Sequence, residues 1–186
     1  MARKEDLRFI RTNKKLFETF FELIKTQRVE DLSITDICEA AEINRATFYK
    51  HFNDKKDFII YCVAQYLRNQ RMKLRGTEKA VYSKLNENTL QEVYAFLRQI
   101  KVLNEENLDA NSNSIRLIYD ALMHFYFHEF LNFFKKGVYE DEYLDVQMRA
   151  AQVAGALLNM ALFAMLNGDE AMSEEACQKV INARLK

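Results

Sequence analysis

The segment SITDICEAAEINRATFYKHF, from Ser33 to Phe52, decides the fold of this chain. Its apolar spacing is typical of two short helices joined by a tight turn at Glu42. Thr35 is a natural N-cap for the first helix and Asn44 for the second, because short polar side chains satisfy free N–H groups at helix starts. The segment therefore predicts a helix-turn-helix.

The second helix of this motif is predicted to have one apolar and one polar face. At about 100° per residue, Phe48 and Phe52 project from one side, and Ala46, Thr47 and Lys50 from the opposite side. The apolar side can anchor the helix in a small core. The exposed side then offers donors to phosphates and base edges, which is the arrangement of a helix that enters DNA.

Composition predicts an all-α protein. The 186 residues are 49% hydrophobic, enough for a core, and include no proline and only four glycines. Strand-and-turn architectures depend on these scarce residues. Cys38, Cys62 and Cys177 are odd in number and widely spaced, which favours reduced thiols, and no secretory signal pattern precedes them. We therefore expect a cytoplasmic protein.

The charge distribution favours one basic face on a neutral body. The formal net charge is zero, with 27 basic and 27 acidic residues. Residues 1–15 nevertheless hold six basic against two acidic residues, and residues 44–56 hold four against one. Residues 16–42 hold seven acidic against two basic residues. A basic face of this kind suits a nucleic-acid partner, although a solvated helix surface is an equal alternative for the N-terminal run alone.

Apolar periodicity predicts further helices around the motif. They are expected over residues 6–27, 55–75, 89–103, 115–136 and 142–167, with a short last helix after Ser173. Gly76 is expected to end the helix over residues 55–75. The helix over residues 142–167 approaches membrane-span length, but polar side chains interrupt it at Gln147, Arg149, Gln152 and Asn159. We therefore expect a core or interface helix, and no membrane partner. The small residues Ala154, Gly155 and Ala161 would allow another helix to approach this one closely.

Over about residues 6–60 the chain resembles the TetR family of bacterial transcription regulators. The resemblance implies an N-terminal three-helix DNA-binding domain over residues 1–60. A long helix links it to a helical dimerisation and ligand-binding domain over residues 61–186. The motifs that carry it are Thr35-Asp36-Ile37, Ala40-Ala41, Arg45-Ala46-Thr47-Phe48-Tyr49, His51-Phe52, and Lys55 with Asp57.

The resemblance also implies the DNA contacts. Positions of the family that grip phosphates correspond to Thr35, Thr47, Tyr49, His51 and Lys55. Those nearest the bases correspond to Arg45, Ala46 and Lys50, and Asn44 completes the DNA-binding set as the cap of the helix. One departure is Glu42, where the family usually has glycine; a left-handed backbone there costs a glutamate about 1 kcal/mol.

By resemblance, the C-terminal half pairs with a second copy and encloses a small-molecule pocket. The homodimer would present two recognition helices to a palindromic operator, with half-sites about 34 Å apart. An Asp-His-His stripe at four-residue spacing also permits a metal. A solvent edge or polar dimer contacts are the alternatives, and a polar patch that orients a ligand in the pocket is favoured over the metal. The expected pocket residues are Tyr119, Asp120, Met123, His124, Phe127 and His128.

The sequence thus predicts a sequence-specific DNA-binding regulator, a homodimeric repressor that a small-molecule effector releases. No glycine-rich phosphate loop or nucleophile pattern is present, so we expect no enzyme, cofactor or metal. The alternative is a helical interaction or sensor protein whose DNA binding is lost or altered, suggested by Glu42 and by the zero net charge.

Overall fold

A computed structural model describes residues 4–74, 92–93, 96–97, 113–135 and 145–167 of the chain. These residues form helices and no strand, so the all-α prediction is confirmed. The predicted stop at Gly76, most of the helix expected over residues 89–103 and the helix after Ser173 lie outside them. The helices are α1 (Lys4–Leu23), α2 (Ile34–Ala40), α3 (Arg45–Phe48), α4 (Lys55–Leu74), α5 (Asn113–Phe134) and α6 (Val146–Asn167).

The first helix of the motif starts differently from the prediction. Its N-cap is Ser33, not Thr35. The Asp36 N–H donates to Ser33 Oγ at 3.1 Å, and the Ser33 N–H donates to Asp36 Oδ2 at 2.8 Å. This reciprocal capping box satisfies two free donors at once, whereas a cap at Thr35 would satisfy one. Thr35 instead lies half-buried inside α2.

An aromatic cluster holds the helix-turn-helix to its neighbours. Phe58 of α4 is its centre, with ring centroids 5.6 Å from Phe20 of α1, 5.4 Å from Phe48 of α3 and 5.0 Å from Phe52. All four side chains are buried. Aromatic pairs at such separations contribute about 0.5 to 1.5 kcal/mol beyond area burial. The linking helix therefore shares one core with the motif that it follows.

Helix α5 packs on α4 and on α6, and α5 and α6 lie antiparallel. Tyr119 near the start of α5 donates from its hydroxyl to Asn159 late in α6, at 3.4 Å. At the other end, the Arg149 guanidinium lies 5.5 Å from the centroid of the Phe134 ring. Among the described helices, none is long and apolar enough to cross a membrane.

Candidate nucleic-acid interface

The turn between α2 and α3 has a left-handed backbone at Glu42, with a φ of 51°. The Glu42 N–H donates to the Glu39 carbonyl at 3.0 Å and the Ile43 N–H to the Cys38 carbonyl at 2.9 Å. These two bonds form a Schellman motif, which requires a left-handed residue where glycine is usual. The geometry of the turn is thus kept despite the glutamate. The Glu42 carboxylate pairs with Lys15 of α1 at 2.7 Å, and this hydrogen bond lowers the pKa of Glu42.

The recognition helix α3 begins with the predicted cap. Asn44 Oδ1 accepts from the Thr47 N–H at 2.6 Å and from the Thr47 hydroxyl at 2.8 Å. The Thr47 hydroxyl retains its acceptor lone pairs, but its proton is used within the helix. For a phosphate contact, Thr47 can therefore offer its hydroxyl only if it gives up the bond to Asn44.

One buried side chain fixes which residues of this helix face outward. Phe48 is fully buried, and its ring meets the Tyr49 ring edge-on at a centroid distance of 5.6 Å. The Tyr49 side chain is 48% exposed. Core packing thus orients an exposed phenol beside the exposed donors. The predicted DNA-binding residues that the structure exposes are Asn44, Arg45, Ala46, Tyr49 and Lys50.

His51 lies against α1 rather than free on the surface. Its Nδ1 is 2.6 Å from Asn13 Oδ1, and its ring stacks on Phe9 with centroids 4.0 Å apart and planes 18° from parallel. Desolvation, followed by the charge of Lys50, lowers the pKa of His51. Sequence reasoning did not assign Asn13 or Phe9 to the site; the signal was Asn13 itself, a polar interruption of the apolar stripe of α1.

Lys55 is bound within the protein at the start of α4. Its ammonium donates to the Glu30 carbonyl at 2.7 Å. Burial lowers the pKa of Lys55, and the nearby carboxylates of Asp31, Glu30 and Asp36 oppose that shift. An ammonium has three N–H donors. Lys55 therefore retains two N–H donors for a phosphate, while the third binds the Glu30 carbonyl in the loop before α2.

Glu30 links the same loop to the C-terminal helices. The Ser114 N–H donates to Glu30 Oε2 at 2.9 Å, and the Glu30 N–H donates to Ser114 Oγ at 3.2 Å. Ser114 is in the first turn of α5, where a carboxylate is favoured by the helix dipole. A second link joins Lys56 of α4 to Asp120 of α5 at 2.8 Å. Neither link is visible in the sequence pattern.

The six expected pocket residues share one part of the α5 surface, and none of them is buried. Asp120 is engaged with Lys56. The rings of His124 and His128 are 4.5 Å apart and both side chains are exposed. Among the described residues no group of three or more His, Cys, Asp or Glu side chains could hold a metal ion. The stripe is thus an outer helix surface within one chain.

The fold and the exposed donors define a helix-turn-helix DNA-binding protein. Residues 18–62 match the model of a known family, described as bacterial regulatory proteins, tetR family. A comparison with curated protein sequences gives no significant match. The sequence match lies over α1 to α4 and includes the whole motif.

Solved structures provide a further likeness. The chain is similar to NalD, the secondary repressor of the MexAB-OprM multidrug efflux pump in Pseudomonas aeruginosa, with 15% identity, a TM-score of 0.50, and coverage of 95% of this chain and 98% of NalD. It is also similar to the transcriptional regulator FadR from Bacillus subtilis in complex with stearoyl-CoA, with 14% identity, a TM-score of 0.49, and coverage of 93% and 97%. Identities this low bear on the fold alone. The family match over residues 18–62 confirms the expected resemblance to the TetR family in the DNA-binding part of the chain.

Proposed function

We propose that the protein is a homodimeric repressor that binds a palindromic operator and leaves it when a small molecule binds the C-terminal helices. It acts by binding and not by catalysis, in the cytoplasm. The observation that carries the proposal is the set of exposed donors on a recognition helix that is capped by Asn44 and anchored by the buried Phe48. We retain the division into residues 1–60 and 61–186, with the boundary inside α4.

The proposed DNA contacts divide by chemistry. Arg45 and Lys50 are exposed cations suited to base edges; a bidentate arginine on guanine contributes about 1 to 3 kcal/mol of discrimination. Ala46 is assigned to a thymine methyl. The phosphate contacts are assigned to Thr35, Thr47, Tyr49, His51 and Lys55, which fix the register of the protein on DNA but carry no sequence information directly.

An open face of α6 supports the dimer. Ala154 and Ala161 are buried in the chain's own core, so they serve the packing of α6 within one protomer. Gly155 lies about 100° around the helix from Ala154, and a side chain added there would meet nothing within 4 Å. Met148 is 62% exposed and Phe163 58% exposed on the same helix. Helices with small and exposed apolar residues on one face pack closely with a partner, and α5 and α6 of two copies would form a four-helix interface.

The contacts between α4, α5 and the loop before α2 support effector control. Glu30 holds Ser114 of α5 and, through its carbonyl, Lys55, while Asp120 holds Lys56. A displacement of α5 by an effector would therefore reach the start of α4 and the DNA-binding core. A hundredfold loss of operator affinity requires a coupling of only about 2.7 kcal/mol.

Sequence selection with the purified protein, followed by fluorescence anisotropy, tests the DNA proposal. Lys50→Ala is expected to weaken binding, and Arg45→Ala to relax selection at one base pair of each half-site. Lys25→Ala is the matched control: Lys25 is an exposed lysine just past the C-terminal end of α1. That end is about 20 Å along the helix from Phe9, on which His51 stacks. If no sequence is enriched, or if Lys50→Ala binds as Lys25→Ala does, the proposal is wrong.

Analytical ultracentrifugation tests the dimer. The protein is expected at about twice the 22.0 kDa of one chain. Gly155→Trp places a large ring on the open face of α6 and is expected to shift the protein to monomer without unfolding it. Glu18→Trp, at an exposed position on α1, should remain a dimer. A stable wild-type monomer at micromolar concentration, or a Gly155→Trp dimer as tight as the wild type, would contradict the interface.

A further inference from the structure

His51 has one ring nitrogen committed to the protein and one available to DNA. Its Nδ1 lies 2.6 Å from Asn13 Oδ1, and Phe9 stacks on the ring at 4.0 Å, so α1 fixes both the position and the plane of the imidazole. His51 is half-buried and follows the exposed Tyr49 and Lys50 in the chain. Its second nitrogen, Nε2, is the atom left for a phosphate.

The contact with Asn13 decides which nitrogen carries the proton. An amide oxygen only accepts hydrogen bonds, so Nδ1 must be the donor in this pair. A neutral imidazole has one N–H, which leaves Nε2 of neutral His51 with a lone pair. A phosphate oxygen also only accepts. Neutral His51 therefore cannot donate to a phosphate from Nε2, whereas the imidazolium donates from both nitrogens.

We propose that Asn13 is a positioning residue which makes the phosphate contact of His51 conditional on proton uptake, so that operator binding strengthens as the pH falls. The inference rests on the proposed function, since it needs a phosphate at His51. On binding, each chain takes one proton from solvent onto Nε2 of His51. No other bond is made or broken.

The surroundings of His51 favour its neutral form when no DNA is bound. From α1 it is faced by Phe9 and Asn13, which do not titrate, and on its own segment by Phe52 and the cation Lys50. Desolvation and the Lys50 charge both lower its pKa, and among the described residues no carboxylate acts on it in the opposite direction. A phosphate placed at Nε2 would supply the missing negative charge and raise the pKa.

The sign of the linkage follows from these two states. The pKa of His51 is higher in the complex than in the free protein, so affinity is greatest below the free-state pKa and is lost as the pH rises through the pKa of the complex. One proton per chain gives at most about a tenfold change in affinity per pH unit. A dimer with two such contacts takes up two protons, so its affinity for the operator changes by at most about a hundredfold per pH unit.

Anisotropy titrations of the full-length protein with its selected operator, from pH 6 to 8 at constant ionic strength, measure this linkage. The wild-type Kd is expected to rise with pH. His51→Gln should give a flat profile, because a glutamine amide donates to phosphate without titrating. Asn13→Ala frees the choice of tautomer and should flatten the profile, with tighter binding than the wild type at pH 8. Lys25→Ala, the matched control for DNA binding, should keep the wild-type slope.

Two measurements separate this inference from a structural role of Asn13 and from the proposed function. Nitrogen-15 NMR of the free protein is expected to show the proton of His51 on Nδ1; a proton on Nε2 would overturn the inference. So would a wild-type slope equal to that of His51→Gln. Tight, salt-dependent binding whose Kd does not change with pH would contradict the proton linkage alone. The absence of operator binding at any pH would contradict the proposed function itself.

Discussion

Replacing Glu42 with glycine tests whether the turn between α2 and α3 is strained. The backbone at Glu42 is left-handed, with a φ of 51°. This conformation is open to glycine but costs other residues about 1 to 2 kcal/mol. Glycine also increases the conformational entropy of the unfolded chain, and this reduces the stability of the folded protein by about 0.4 to 1 kcal/mol. A net gain of about 1 kcal/mol is expected for Glu42→Gly relative to Glu42→Ala.

The alanine variant is the reference because both substitutions remove the ion pair with Lys15, while only alanine keeps the Cβ atom. Thermal unfolding of the two full-length variants should differ by about 2 to 4 °C, with the glycine variant higher. Operator affinity should be equal in the two, since the turn is already left-handed. A glycine variant that melts at or below the alanine variant would refute the assignment of strain.

The ion pair gives the same position a pH dependence. The hydrogen bond from Lys15 lowers the pKa of Glu42 in the folded protein. The carboxylate therefore stabilises the fold above the ordinary glutamate pKa, about 4.3, and this contribution is lost as the pH falls through the folded-state value. The difference in melting temperature between the wild type and Glu42→Gln should accordingly shrink in acid. A difference that is constant from pH 7 to 3 would show that Lys15 contributes nothing there.

Substitutions at four further positions probe the motif and its links. Phe48→Ala empties a fully buried site beside Phe58, so urea unfolding should show a loss of about 3 to 5 kcal/mol; a loss below about 1 kcal/mol would contradict its role as anchor. Asn44→Ala removes the cap of α3 and should cost about 1 kcal/mol, whereas Asn44→Asp, which caps equally well, should retain stability. Asp120→Lys sets two ammonium groups together at the contact of α4 with α5 and should change operator affinity, and Lys56→Asp in addition should restore it; an unchanged affinity in both would exclude this contact from the coupling.

The six described helices were readable from the sequence because the interactions that set them are local. Asn44 lies three residues before the N–H that it caps, and the apolar residues of α1 recur every three or four positions. The prediction of Thr35 as a cap was wrong for a local reason too. Ser33 and Asp36 satisfy each other's N–H groups, and a single-residue preference for threonine takes no account of that reciprocity.

The DNA-binding motif was determined by the sequence itself, whereas the partners of its side chains were decided by tertiary structure. Asn13 and His51 are 38 residues apart, Lys56 and Asp120 are 64 apart, and Glu30 and Ser114 are 84 apart. Periodicity shows which face of a helix is apolar, but not which polar residue of another helix lies opposite. That depends on how the helices pack around Phe58, and this packing sets which histidine nitrogen is left for DNA.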